Sequence, residues 1–143
     1  MNHQEPSSGP PRVSEEDYQT LSAFRYALRR FLAFSENAAR QAGITPQQYL
    51  ALLAVRGSPS PGSMTISRLA ERLQIRHHSC VGLVNRLVQQ GLLERRRCTD
   101  DRRQVNLTLT ARGAELLEPL AAAHLAQLQS IGPDLRQVLE RLG

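Results

Sequence analysis

Between Thr65 and Leu109 the apolar residues change their period, and that change limits the fold more than any other feature of the chain. Ile66, Leu69, Ala70 and Leu73 recur at helical spacing behind Thr65, a side chain suited to an N-cap, and predict a short helix through about Gln74. After a tight turn near Ile75 and Arg76, the spacing resumes with Cys80, Leu83, Val84 and Leu87, predicting a second helix from about His77 to Gln90 that Gly91 stops. From there the period is two. Leu92–Arg96 and Val105–Leu109 predict strands, since Val105, Leu107 and Leu109 alternate with Gln104, Asn106 and Thr108. The run Arg97-Cys98-Thr99-Asp100-Asp101-Arg102-Arg103 between them is polar and rich in turn formers. Two short helices joined by a turn and followed by a hairpin with an arginine-studded tip make a helix-turn-helix with a wing, spanning residues 65–113.

The flanks are helical. Ser14-Glu15-Glu16-Asp17 resembles a capping box with acids in the first turn, and Leu21, Phe24, Leu28, Phe31 or Leu32, and Ser35 keep a three-and-four spacing to about Ala42, where Gly43 ends the helix. Thr45-Pro46-Gln47-Gln48 starts another, with Tyr49, Leu50, Leu52, Leu53 and Val55 on its buried side up to Gly57. Residues 58–63 form a connector too short to separate domains. Past the hairpin, Thr110 caps a helix whose stripe is Leu117, Leu120, His124, Leu128 and Ile131, with a bend expected at Pro119. Gly132-Pro133 is expected to break it, and Asp134 to begin a last helix carrying Leu135, Val138, Leu139 and Leu142. The predicted class is therefore mainly α with a small β-hairpin wing, a single domain over residues 14–143 behind a disordered Pro- and Ser-rich tail, 1–13. The apolar stripes of 14–42 and 114–143 are wider than so small a domain can cover, which predicts a two-fold dimer built from both terminal regions.

Charge says what the middle of the chain meets. All 18 basic residues are arginine, and ten of them fall in residues 65–113 against four acids, while the remainder of the chain is near neutral. A basic centre on a neutral scaffold fits a phosphate-binding surface, or else a solvated basic face. Aromatic content of 4% with no Trp leaves few platforms for stacking single strands. No apolar run approaches the roughly 20 residues of a membrane span, and the polar start lacks a signal peptide's apolar core, so a cytoplasmic protein with no membrane contact is expected. Two cysteines make no disulfide framework and no closed zinc site. With no Gly-rich phosphate loop, nucleophile elbow, metal-spaced triad or carboxylate cluster, neither an enzyme nor a cofactor is expected.

The segment Leu83 to Arg95, and above all Asp101-Arg102-Arg103 followed by Leu107-Thr108-Leu109-Thr110-Ala111-Arg112-Gly113, resembles the MarR family of bacterial transcription regulators, with its Asp-x-Arg wing and Leu-Thr-x-x-Gly stop. By element order the resemblance covers residues 15–143. It implies a homodimeric winged helix-turn-helix regulator of pseudo-palindromic duplex DNA, a repressor released by a small effector. The second helix of the motif would lie in the major groove and the wing at the minor groove. By that resemblance Thr65, Arg76, His77, His78, Ser79, Gly82, Arg86, Arg95, Arg97, Arg102 and Arg103 are the DNA-binding candidates, with Asp101 fixing the wing. For Arg86 a bracing role in the scaffold is an equal alternative. Many relatives carry an acid where this chain has Asn85, which predicts a looser wing. Family effectors are commonly small aromatic acids, for which Arg30, Phe31 and Tyr49 are candidate partners.

Other readings stay open. Neighbouring helical residues point about 100° apart, so His77 and His78 cannot chelate one metal together. His124 on an apolar stripe reads as a satisfied interface histidine, and Cys80 as inert core. Cys98 lies among arginines that favour thiolate, so an oxidant-sensing regulator is one alternative. Some family members sense oxidants through a first-helix cysteine, which this chain lacks. A winged-helix module for protein contact and a constitutive architectural DNA binder are the others.

Overall fold

The computed structural model describes residues 12–60, 62–97 and 105–143. Its elements run α1 (Glu15–Gln41), α2 (Pro46–Arg56), α3 (Ile66–Leu73), α4 (His77–Gln89), β1 (Leu93–Arg97), β2 (Val105–Leu109) and α5 (Ala111–Glu140). The local signals for helix starts act as read. Ser14 with Asp17 and Thr45 with Gln48 form reciprocal capping boxes, and the hydroxyls of Thr65 and Thr110 accept the backbone N–H groups of Arg68 and Gly113.

Helix α4 ends in a Schellman turn: Gly91 has φ +71°, its N–H donates to the Val88 carbonyl at 3.0 Å, and the Leu92 N–H donates to Leu87 at 2.9 Å. Leu92 thus belongs to the helix stop, and β1 starts one residue later than the alternation suggested. The strands pair antiparallel with Arg95 opposite Leu107. On its other side β2 donates from Leu107 N to the Met64 carbonyl at 2.8 Å, so the segment before α3 guards that edge. Asn106 is buried although it sits at a polar phase of the alternation.

The core sits where α2, α3, α4, both strands and the start of α5 converge, on Leu52, Leu69, Val84, Leu87, Leu93 and Leu107. Cys80 is fully buried there, its thiol donating to the Ile66 carbonyl at 3.6 Å, and burial pushes that thiol's pKa up. Helix α1 packs on α5 through the small residues Thr20, Ala27, Ser35 and Ala39. Several large residues of the two stripes stay uncovered: Leu21 is 58% exposed and Leu32 48%, as are Leu128 (41%), Leu139 (60%) and Leu142 (70%) on α5 and the tail beyond it.

One expectation fails. Gly132-Pro133 does not break the chain, and α5 runs unbroken through both Pro119 and Pro133. A proline disfavours helix at the preceding residue by pressing its ring on that residue's N–H and Cβ, and Gly132 lacks the Cβ. Burial of Ile131 and Val138, on either side, holds the helix in place. Among the described residues no helix is long and apolar enough to cross a membrane.

Candidate nucleic-acid interface

Helix α4 presents two faces. Cys80, Leu83, Val84 and Leu87 are buried, whereas His77, His78, Ser79, Asn85, Arg86 and Gln89 are exposed and Gly82 half-exposed. The helix contains no acidic residue. Arg76 is its N-cap in extended conformation and makes no side-chain cap, so the first-turn N–H groups lack that partner and keep their positive end of the helix dipole for an anion. Thr65, by contrast, spends its hydroxyl on capping α3.

The root of the wing is tied to this face. The Arg95 guanidinium donates to the Asn85 amide oxygen, joining β1 to the outward side of α4. Asn85 therefore does meet the wing, by a hydrogen bond that leaves the charge of Arg95 uncompensated. Arg96 forms an exposed pair with Glu94 at 3.4 Å. Through residue 97 the surface carries Arg68, Arg72, Arg76, Arg86, Arg95, Arg96 and Arg97, all exposed, against Glu71 and Glu94. Cys98, Asp101, Arg102 and Arg103 lie outside the described residues, as does the oxidant-sensing reading that rests on Cys98.

The base of the hairpin is locked to α5. The Thr110 hydroxyl donates to the Gly91 carbonyl at 2.6 Å while accepting from Gly113 N, and Thr110 N donates to the Leu92 carbonyl at 3.2 Å. A Cβ on Gly113 would stand 2.1 Å from that same Leu92 oxygen, so only glycine admits the close approach. The Leu-Thr-x-x-Gly run thereby fastens the end of α4 to the start of α5.

The effector candidates separate. Phe31 and Tyr49 join Phe34 around His124: Tyr49 stacks on the imidazole at 4.3 Å between centroids, and the phenyl rings stand edge-on at 5.9 and 5.4 Å. The ring's Nδ1 lies 2.7 Å from the Leu120 carbonyl and Nε2 2.8 Å from the Ser35 hydroxyl. A carbonyl only accepts, so the neutral tautomer protonated on Nδ1, with Ser35 donating to Nε2, satisfies every partner. His124 is thus an interior residue of the protomer, where the sequence suggested an interface. Burial raises the pKa of the Tyr49 phenol. Arg30 is elsewhere, over the Tyr26 ring at 5.8 Å, lining a groove of about 200 Å³ between α1 and the far half of α5. Sequence reasoning missed this aromatic and polar junction of α1, α2 and α5, although Ser35 and His124 are polar residues on two apolar stripes and could have marked it. Among the described residues no three His, Cys, Asp or Glu side chains form a group able to hold a metal ion.

Comparison with known proteins agrees with this geometry. A model of the MarR family matches residues 42–104. The HTH-type transcriptional repressor MdtR of Bacillus subtilis (strain 168) is 32% identical over 84 residues, 59% of this chain and 52% of that protein. The organic hydroperoxide resistance transcriptional regulator of the same organism is 32% identical over 102 residues, 69% of this chain and 67% of its own length. The chain thus spans about half of the first relative and two thirds of the second. In fold it is similar to an S. aureus MepR mutant solved bound to an oligodeoxyribonucleotide, with a TM-score of 0.67 at 22% identity over 88% of this chain and 98% of that one.

Proposed function

The chain belongs to the MarR family, and on that premise we propose that it regulates transcription as a homodimer that reads duplex DNA. One observation carries the reading: the outward side of α4 with its N-cap, and the root of the wing, carry five exposed arginines, Arg76, Arg86, Arg95, Arg96 and Arg97, against the single acid Glu94. Helix α4 enters the major groove with Arg76, His77, His78, Ser79 and Gly82 toward base edges, and Arg86, Arg95 and Arg97 take phosphates. The family resemblance adds Arg102 and Arg103 as minor-groove contacts and Asp101 as the residue that fixes the wing. A second copy covers the exposed leucines of α1 and α5, since an apolar surface of that extent is disfavoured in water. The two α4 helices of the dimer then meet a pseudo-palindromic operator at successive major grooves, about 34–36 Å apart. The protein acts as a repressor, and a small effector releases it by binding more tightly to a spacing of the α4 helices that no longer fits DNA.

The test is titration of random duplex and of duplex enriched by the protein from a random pool, across salt, with sedimentation to give the assembly. Binding as a dimer is expected, with log affinity falling by about 0.9 per neutralised phosphate for each decade of salt and enriched duplex favoured at every salt concentration. Failure to bind any duplex at micromolar protein and about 50 mM salt would reject the proposal in favour of a protein-contact role.

A further inference from the structure

Gly82 stands in the middle of α4, where glycine weakens a helix relative to alanine. The other glycines inside described helices have reasons within the chain: Gly113 makes room for the Leu92 carbonyl, and Gly132 precedes Pro133. Gly82 has none. Its φ is not left-handed, and a Cβ built on it meets within 4 Å only Nη2 of Arg86 at 3.6 Å, an ordinary contact with the movable end of a long side chain. At about 100° per residue it lies opposite the buried stripe of the helix, at the centre of the face formed by His78, Asn85, Arg86 and Gln89. The missing side chain leaves a dent in the backbone of α4, floored by a Cα methylene and rimmed by hydrogen-bonding groups.

A stability cost with no return inside the molecule points to a return outside it. Resting on the DNA-binding reading above, we infer that Gly82 is a specificity-determining residue: the point where the α4 backbone touches the edge of a base pair in the major groove. The absent Cβ lets the helix sit deep enough for His78 and Ser79, one turn before it, to reach the neighbouring bases. A methyl group there would hold the helix away from the groove floor while leaving the phosphate contacts of the rim in place.

The experiment compares wild type with Gly82→Ala and Gly82→Ser on two probes: duplex enriched by the wild-type protein from a random pool, and unselected random duplex. Gly82→Ala should melt about 2–4 °C higher than wild type, as an unhindered Gly-to-Ala change in a helix does. It should bind the enriched duplex at least about tenfold more weakly and random duplex within about twofold of wild type. Gly82→Ser, with a larger side chain, should lose at least as much on the enriched duplex. A lower melting temperature for Gly82→Ala would reveal an intrachain reason for the glycine and overturn the inference. So would unchanged affinity for enriched duplex. Equal losses on both probes would move the close approach to backbone phosphates and overturn the base-edge assignment. If the wild-type protein enriches no duplex, the DNA-binding reading itself falls, a result distinct from all of these.

Discussion

Substituting Gly113 with alanine tests whether the lock between α4 and α5 has the strength its geometry implies. The new Cβ would lie 2.1 Å from the Leu92 oxygen and 3.1 Å from the Leu92 carbonyl carbon, so backbone must move by about 1 Å to restore a normal contact. The obstacle is main chain on both sides, and no rotamer change relieves it. Overpacking of this kind costs typically 1–3 kcal/mol. Moving α5 away from Leu92 also strains the Thr110 N–H bond at 3.2 Å and the Thr110 hydroxyl bond to Gly91 at 2.6 Å, each worth about 1 kcal/mol. Against this, alanine improves helix propensity by up to about 1 kcal/mol. The expected loss is about 2–4 kcal/mol, read as a lower urea midpoint at unchanged slope. Thr110→Val, which keeps the shape and removes the hydroxyl, should cost about 1–3 kcal/mol through the unmet Gly91 carbonyl and Gly113 N–H. Stability of Gly113→Ala within about 0.5 kcal/mol of wild type would refute the close approach.

Further expectations concern the junction, the buried thiol and the first cap. Ser35→Ala should destabilise by about 1–3 kcal/mol, because it leaves Nε2 of His124 buried without a donor, and His124→Ala by more, since a cavity among three rings is added; urea titration measures both. Burial raises the thiol pKa of Cys80, so native protein at pH 8 should leave it unmodified by a thiol reagent that labels it once denaturant is added; mass spectrometry of the labelled peptide checks this. The Asp17 carboxyl, held below its usual pKa chiefly by the Ser14 backbone N–H, contributes stability above its unfolded pKa that is lost as pH falls through its folded one. Asp17→Asn should therefore flatten the pH dependence of the melting temperature at the acid end, between about pH 5 and 3.

Local chemistry made much of this fold legible in the sequence. Ser14, Thr45, Thr65 and Thr110 were readable as caps because each needs only its own next three residues, and the change from helical to alternating period at Gly91 located the hairpin. What depended on contacts between distant residues was not readable. Gly132-Pro133 looked like a breaker because each residue weakens a helix alone, whereas the glycine lacks the Cβ that the proline ring would press and buried Ile131 and Val138 hold the helix on either side. The stripe on α1 was visible, but not that small residues would fill the seam with α5 and leave Leu21 and Leu32 outside. On the interface side, the exposed face of α4 followed from its period, and the basic charge from counting arginines. The gathering of Ser35, Tyr49 and His124 joins residues far apart in the chain, and no local pattern encodes it. Arg30 and Phe31, adjacent on α1, point apart, one toward Tyr26 and the other toward His124, and their adjacency in the sequence hides this.

The continuity of α5 has a mechanical meaning. At 1.5 Å per residue its 30 residues extend roughly 45 Å, from the base of the hairpin to the end of the chain. One end is bolted by Thr110 and Gly113 to the stop of α4, and Ile131 and Val138 press the other half against α1. A hinge at residues 132–133 would let the two ends move independently. An unbroken helix couples them instead: a tilt of about 5° about one end moves a point roughly 45 Å away by about 4 Å. A small rearrangement where α1 and α5 meet would therefore reach the element beside α4 through the helix itself, with no separate transmitting segment between them.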